Sequence, residues 1–316
     1  MKQVIINDSI KKYAGVIVFT FAASISAMES THLYECKATL EDPNMVLAVA
    51  ALAHPHIISG SCDNTVKQLD VTTGQCVKIF EGHKNFIKTV AVWGVLIISG
   101  SGDNTVKLWD HRNGMIIDTL KEHTGSVSSV VPKDEHFVSG SCDGTVKIWD
   151  INMRQALKTF EVFGKQQHVT SIAVDGEDII AGCFYHKIPV FNGNTGVCTT
   201  ILSGHEEWTG VNSVCVDHDP HRIISGSDDK TIKTWGTKNH TCVETFAGHT
   251  DGVTTVFATI KEIISGSGDK TVKVWNKDHD YSVQTLQGHK AAITSVIKQD
   301  DYIVSASYDN TIKVWK

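Results

Sequence analysis

Histidine, serine and aspartate, which together can build a nucleophilic centre, recur in this chain at fixed distances from a tryptophan. His83, Ser99, Asp103 and Trp109 form one set, and His123, Ser139, Asp143 and Trp149 a second. The others are His205, Ser225, Asp229 and Trp235; His249, Ser265, Asp269 and Trp275; and His289, Ser305, Asp309 and Trp315. A histidine base beside a serine hydroxyl, oriented by a carboxylate, is the machinery of acyl-transfer hydrolases. That chemistry needs one activated nucleophile at one open pocket, whereas this set returns five times with a regular period. Periodic recurrence belongs to a scaffold, so the sets are read as structural and no catalytic residue is expected. Metal chemistry has no better support. His54 and His56 bracket Pro55, and His218 and His221 bracket Asp219-Pro220, but neither pair has the third ligand that zinc requires. They read as solvent-facing turn residues. With no glycine-rich phosphate loop and no paired-carboxylate site, neither a metal nor a cofactor is expected.

Composition narrows the partners. Lysine and arginine total 29 against 35 aspartates and glutamates, a formal charge of -6 that does not draw the molecule to nucleic acid or an anionic membrane. Its three arginines, Arg112, Arg154 and Arg222, are far apart, which weakens the case for phosphate recognition. The eight cysteines repeat rather than pair: Cys62 and Cys142 share one slot, and Cys36, Cys76, Cys198 and Cys242 another. Equivalent slots lie a whole repeat apart, too far for a disulfide, and no CxxC occurs. Small buried thiols in a reducing compartment, the cytoplasm or the nucleus, are expected. Residues 1–30 read as an N-terminal extension. Within it Lys11-Lys12 precedes the uncharged run Tyr13–Ala27, which is too short to span a membrane but resembles a signal peptide. The alternatives are an element lying against the core, or an upstream extension before Met28. A signal peptide would place the chain in the secretory pathway, where Asn239-His-Thr241 would become a glycosylation acceptor.

The elements that must hold the recurrent residues follow from the repeat itself. Ser99-Gly-Ser-Gly-Asp103-Asn-Thr-Val-Lys-Leu-Trp109-Asp has counterparts anchored at residues 59, 99, 139, 181, 225, 265 and 305, spaced by 40, 40, 42, 44, 40 and 40. Each full copy carries four short strand-like runs, with turn signals such as Asp103-Asn104 and Asp143-Gly144 between the second and third. One four-stranded sheet of this size cannot bury both faces, but sheets stacked around an axis bury them against one another.

With Gly-His 26 residues ahead of Trp-Asp and Ser-Gly-Ser-x-Asp between them, residues 31–316 resemble the WD-repeat, or G-beta-type, family. The resemblance implies an all-β fold: a seven-bladed WD40 β-propeller. Lys316 follows Trp315 directly, which leaves the seventh copy one strand short. Leu33–Leu40 matches the fourth-strand pattern of Gly74–Phe80, so this N-terminal strand is expected to complete the last blade and close the ring. The family also implies that histidine, aspartate, serine and tryptophan form a hydrogen-bonded chain inside each blade. Two blades depart from it. The first has Pro43 in the histidine slot and Leu69 for the tryptophan; the fourth has Lys165, Tyr185 and Phe191 for histidine, aspartate and tryptophan. Both are expected to be held by packing and by their neighbours.

Family members dock partners on ring-shaped faces, commonly through the residues flanking the first-strand valine and the residue before the turn aspartate. Here the flanks read Val46 and Ala48, Phe86 and Lys88, Ser126 and Ser128, His168 and Thr170, Gly210 and Asn212, Gly252 and Thr254, and Ala292 and Thr294. Bulk concentrates at His168, Phe184, Tyr185 and the inserted Trp208 around the fourth and fifth blades, where His168, Phe184, Trp208 and Asn212 are expected to form an aromatic arc that meets the partner, and at Phe86, Lys88 and Tyr308 across the axis. Aromatics at a rim suit a binding hot spot. The expected function is a non-catalytic scaffold or adaptor, monomeric as a propeller, that binds a protein or peptide on the narrower face, with no nucleic-acid contact and no membrane span. A substrate-recognition subunit of a ubiquitin ligase acting in trans is the alternative, and a propeller-based enzyme is disfavoured.

Overall fold

The computed structural model describes residues 33–162, 167–217, 221–277 and 282–316. The signal-like run within 1–30, Lys165 and His218 lie outside them. Every regular element among the described residues is a strand; there are twenty-eight, numbered β1–β28 in chain order. No helix among them is long and apolar enough to cross a membrane.

The strands pair into seven four-stranded sheets, the blades. In six of them consecutive strands lie side by side, as in blade 2: Ile87–Trp93, Leu96–Ser101, Val106–Asp110 and Ile116–Leu120. Blade 7 is composite. Its outer strand β1 (Cys36–Glu41) runs antiparallel to β28 (Thr311–Trp315), with Leu40 opposite Ile312 and Cys36 opposite Trp315. Second strands such as Leu96–Ser101 are buried along nearly their whole length, because both faces meet neighbouring blades, while outer fourth strands such as Ile116–Leu120 are largely half-buried or exposed. The Ser-Gly-Ser glycine is required by this stacking: a Cβ on Gly100 would lie 2.6 Å from a Val127 methyl of the next blade. The core therefore lies between blades, in seven clusters. One joins Val66 and Phe80 of blade 1 to Ile87, Ile97 and Trp109 of blade 2, and another joins Leu40, Ile312 and Val314 to Val46, Ile57 and Leu69. Residues 34–316 form one compact unit.

Register corrects the reading of blade 1 by one residue. Val46 lies opposite Ser61 just as Ile87 lies opposite Ser101. The residues flanking the valine position are therefore Met45 and Leu47, not Val46 and Ala48, and the histidine slot holds Asp42, not Pro43.

Two belts of hydrogen bonds encircle the axis. In one, Ser128, Thr170, Asn212, Thr254 and Thr294 each donate to a first-strand carbonyl of the next blade, those of Val169, Val211, Val253, Ile293 and Val46. In the other, hydroxyls of Thr89, Ser129, Ser171, Ser213, Thr255 and Ser295 accept from the next blade's amides at Val130, Ile172, Val214, Val256, Val296 and Val49. Both belts lapse between blades 1 and 2, where the corresponding residues are Leu47 and Ala48, and the first lapses also between blades 2 and 3, where Lys88 holds the position. Ala48→Ser is expected to supply the missing acceptor for the Val90 amide and raise stability by about 0.5–1.5 kcal/mol. A urea midpoint at or below the parent value would contradict this account of the seam.

Candidate functional site

The five recurrent sets are closed hydrogen-bond chains. In each, histidine Nδ1 meets the turn aspartate at 2.7–2.9 Å, and Nε2 meets the serine hydroxyl at 2.7–2.8 Å. The tryptophan Nε1–H donates to the same serine oxygen at 2.7–2.9 Å. Nδ1–H is directed at the carboxylate, and the serine oxygen, which accepts from the indole, gives its own hydrogen to Nε2 when the ring is neutral, so that both ring nitrogens are engaged. All five serines are fully buried, so no substrate reaches the hydroxyl. Among the described residues no group of three or more histidine, cysteine, aspartate or glutamate side chains could hold a metal.

Burial pushes His83, His249 and His289 below the ordinary histidine range, only partly opposed by their aspartates. Burial would raise the Asp103 and Asp309 carboxyls, but hydrogen bonds from a threonine hydroxyl, a backbone amide and the histidine outweigh it and hold both at about 2. Both shifts mean that the folded state binds protons less readily than the unfolded chain. Stability is thus complete above the unfolded histidine pKa near 6.5 and falls as pH drops through it, then falls again from about 4 toward 2. Urea midpoints should decline from pH 7.5 to pH 5; a flat profile over that interval would exclude the neutral-histidine account.

Blade 1 replaces this chain with an ion triad rather than with packing alone. In the five blades with the full chain the third-strand lysine reaches a fourth-strand threonine, as Lys107 reaches Thr119 at 2.7 Å. Lys67 faces Ile79 instead, and its ammonium turns inward to Asp42 at 2.7 Å and to Asp63. Pro43 adds to the need for it. The residue after the histidine elsewhere donates its amide to the turn aspartate, as Lys84 does to Asp103, and proline has no N–H to give. Burial would lower the Lys67 pKa, but the two carboxylates raise it above the usual lysine value. Ser59, with neither histidine nor indole to meet, keeps a buried hydroxyl without a partner. Blade 4 is apolar: Ala181 stands for the serine, and Phe191 stacks on Phe160 with centroids 5.9 Å apart.

Pro189 shapes the opposite end of blade 4. It sits where Lys107 sits in blade 2, and the ladder between Asp178–Cys183 and Lys187–Asn192 stops at Ile180–Val190. In the turn between these two strands the His186 amide bonds the Thr209 carbonyl of blade 5 at 2.7 Å. The blade 5 loop is two residues longer than its blade 2 counterpart, judged by His205 to Val211 against His83 to Ile87. It is folded tightly by Thr209, whose hydroxyl donates to the Glu206 carbonyl at 2.6 Å. Four rings are aligned as a result. His168 lies 6.2 Å from Phe184, Phe184 5.4 Å from Tyr185, and Tyr185 6.5 Å from Trp208, the last two pairs edge to face. Phe184 is 51% exposed and Trp208 83%, with Trp208 held at a left-handed φ of 70°. An exposed indole in a backbone region that bulky side chains avoid gains nothing for folding.

The second predicted group also assembles. Phe86, Lys88 and Tyr308 line one cavity of about 700 Å³ with Leu47, Cys62 and the belt residues. The tip of the Phe86 ring abuts Gly102, where a Cβ would come within 2.7 Å of it, so Phe86 is half packed rather than free. Lys88 Nζ stands 3.9 Å from Cys142 Sγ. Asn212 serves the scaffold: its amide donates to Asp228 at 2.6 Å and to the Val253 carbonyl. Tyr185, one of the bulky residues of this rim by sequence, is the ring that joins Phe184 to Trp208. His54 is an exposed turn residue, as its sequence context predicts, and its ring also stacks on Tyr302 with centroids 5.6 Å apart.

Comparison with known proteins agrees with this geometry. The chain is 41% identical over 64 residues to the probable E3 ubiquitin ligase complex SCF subunit sconB of Talaromyces stipitatus, which is 20% of this chain and 9% of that protein. It is 42% identical over 53 residues to F-box/WD repeat-containing protein 7 of Drosophila melanogaster, 17% of this chain and 4% of that protein. To the U3 small nucleolar RNA-associated protein 15 homolog of Xenopus laevis it is 31% identical over 98 residues, 31% of this chain and 19% of that one. The matched stretches thus span less than a fifth of each relative. The profile of the WD domain, G-beta repeat, matches residues 74–110, 114–150, 196–236, 240–276 and 280–316. With those five repeats lying in a ring of seven four-stranded blades, the chain belongs to the WD40 family of β-propellers.

Proposed function

We propose that this propeller works as an adaptor that captures a protein partner on the face formed by the first-strand loops and the second-to-third-strand turns, with the arc His168–Phe184–Tyr185–Trp208 as the principal contact. WD40 propellers are in general protein-interaction scaffolds. The observation that carries the finer reading is Trp208: strained in backbone, exposed, and aligned with three other rings. Rigid aromatic side chains bury large areas at little entropic cost, which makes them anchors of interfaces. Phe86, Lys88 and Tyr308, around the axial cavity, form a second contact for the same partner.

Trp208→Gly tests this. Glycine accepts the left-handed backbone, so the melting temperature should stay level or rise. Partners recovered by affinity capture with the parent should be lost, and together with Phe86→Ala a purified partner should bind about a hundredfold more weakly, or ~3 kcal/mol. Equal recovery by the variant would move the interface to another face. A second reading, substrate recognition for a ubiquitin ligase, is favoured by the SCF and F-box/WD relatives. It predicts ligase subunits among the captured partners. The scarcity of arginine argues against a phosphorylated substrate.

A further inference from the structure

The serine and threonine hydroxyls of the two belts line the axial cavity of about 700 Å³, and they are already engaged with backbone. Two charged residues line it as well, Lys88 of blade 2 and Asp228 of blade 5. Each is the one charged residue at its slot. The other blades have serine, threonine, asparagine or leucine where blade 2 has Lys88, and cysteine, glycine or an aromatic residue where blade 5 has Asp228. Lys88 gives up the seam bond that Ser128 and Thr170 make, and among the described residues its Nζ meets only the Cys142 thiol, at 3.9 Å. Asp228 is exposed and holds the Asn212 amide on Oδ1 at 2.6 Å, which leaves Oδ2 without a donor among the described residues. Among those residues neither forms an ion pair, with the other or with a third side chain. A ring of seven places blades 2 and 5 on opposite sides of the axis, so one cavity holds two opposite charges that do not neutralise each other.

We infer that this cavity receives an extended segment of the protein partner that brings an acidic side chain to Lys88 and a basic side chain to Asp228. Both charges cost the free molecule little while water reaches them, and both attract an opposite charge once a docked chain excludes that water. A segment with an anion alone would strip water from Asp228 without replacing it, and one with a cation alone would do the same to Lys88. The pair therefore selects a chain that carries both, and it sets direction, because a reversed chain puts like charges together. Phe86 and Tyr308 line the same cavity and offer apolar surface to the stems of those side chains. A free amino acid, with both charges on one carbon, cannot meet groups on opposite sides of the axis. The inference rests on the partner docking on this face and adds the chemistry read at its centre; it does not depend on the aromatic arc.

A library of displayed random peptides should be selected on the immobilised full chain. The enriched sequences are expected to share an acidic and a basic residue at one fixed separation. Selection on Lys88→Met should lose the acidic preference and keep the basic one, and selection on Asp228→Asn should do the reverse. Both variants should melt like the parent, since Lys88 touches only a thiol and asparagine at 228 can still accept from Asn212. The consensus peptide, synthesised with blocked ends and titrated calorimetrically, should bind the parent at least tenfold more tightly than either variant. Converting its acidic residue to the amide should cost at least tenfold against the parent and less than twofold against Lys88→Met, which assigns that residue to Lys88. No enrichment, enrichment without the charge pair, or an equal loss against parent and Lys88→Met would each overturn the inference. So would affinity that vanishes on blocking the peptide's ends, which would make the termini the source of the charges. If Trp208→Gly loses its captured partners while the selected peptides lack the charge pair, the axial assignment falls and the arc stands; if the charge pair is found but Trp208→Gly captures as the parent does, the arc falls and the axial site stands.

Discussion

Lys67→Met is expected to lower the unfolding free energy by ~3–5 kcal/mol, because it leaves two carboxylates in blade 1 without their cation. The Asp42 and Asp63 side chains are 4% and 17% exposed, and the Lys67 ammonium touches both. Removing one member of a buried ionic group costs far more than the group contributes when intact, since the remaining charge has lost both water and partner. The matched control is Lys107→Met, which takes from blade 2 only a hydrogen bond to the Thr119 hydroxyl and should cost about 1 kcal/mol. Asp42→Asn added to Lys67→Met should recover part of the loss by removing one of the two stranded charges. Urea midpoints for the four proteins decide the matter. Equal midpoints for Lys67→Met and Lys107→Met would mean that the triad does not hold blade 1.

Deleting residues 33–41 should have a still larger effect and remove most of the stability. It takes away β1, which covers β28 and supplies Leu40 to the cluster between blades 7 and 1. Tyr34 goes with it, and its buried ring packs beside Trp315 between blades 6 and 7. Each of these side chains is worth ~1.5–3 kcal/mol on burial, and the backbone pairs along β28 are lost as well. The deletion also leaves an open strand edge, which invites association between chains. A broad, low-temperature unfolding transition is expected, with a tendency to aggregate. A synthetic peptide of residues 33–41 should restore a sharp transition in trans. A deletion variant that melts like the parent would show that closure through β1 contributes little.

A sequence with a period resolves a repeat fold well. The spacing of Ser-Gly-Ser-x-Asp anchors specifies seven units, and the residues between them specify four strands in each, because every blade repeats the same local chemistry in nearly the same length. The five polar chains were equally legible, since each residue in them holds a fixed place in its repeat. Blade 1 was misaligned by one residue because Pro43 and Asp42 adjoin and only the pairing of Val46 with Ser61 separates them. Its ion triad was hidden for a related reason: Lys67 is a consensus lysine, and what turns it inward is the isoleucine across from it, Ile79, a contact between strands.

The candidate face divides along the same line. Residue type and slot marked Phe184 and Trp208 as exposed aromatics on their own, because a bulky apolar residue at a face-pointing slot does not depend on neighbours for its meaning. Sequence also grouped them into one arc by the order of the blades; the contacts that align the rings came from the tertiary structure, where the His186 amide ties one turn to the Trp208 loop some two dozen residues along the chain. The same holds for Asn212, which sequence placed among the binding residues and which packing commits to Asp228 and Val253. A periodic sequence determines what each blade is, because those interactions are local and repeated; which side chains are left free to meet a partner is decided where blades adjoin, by contacts that no period records.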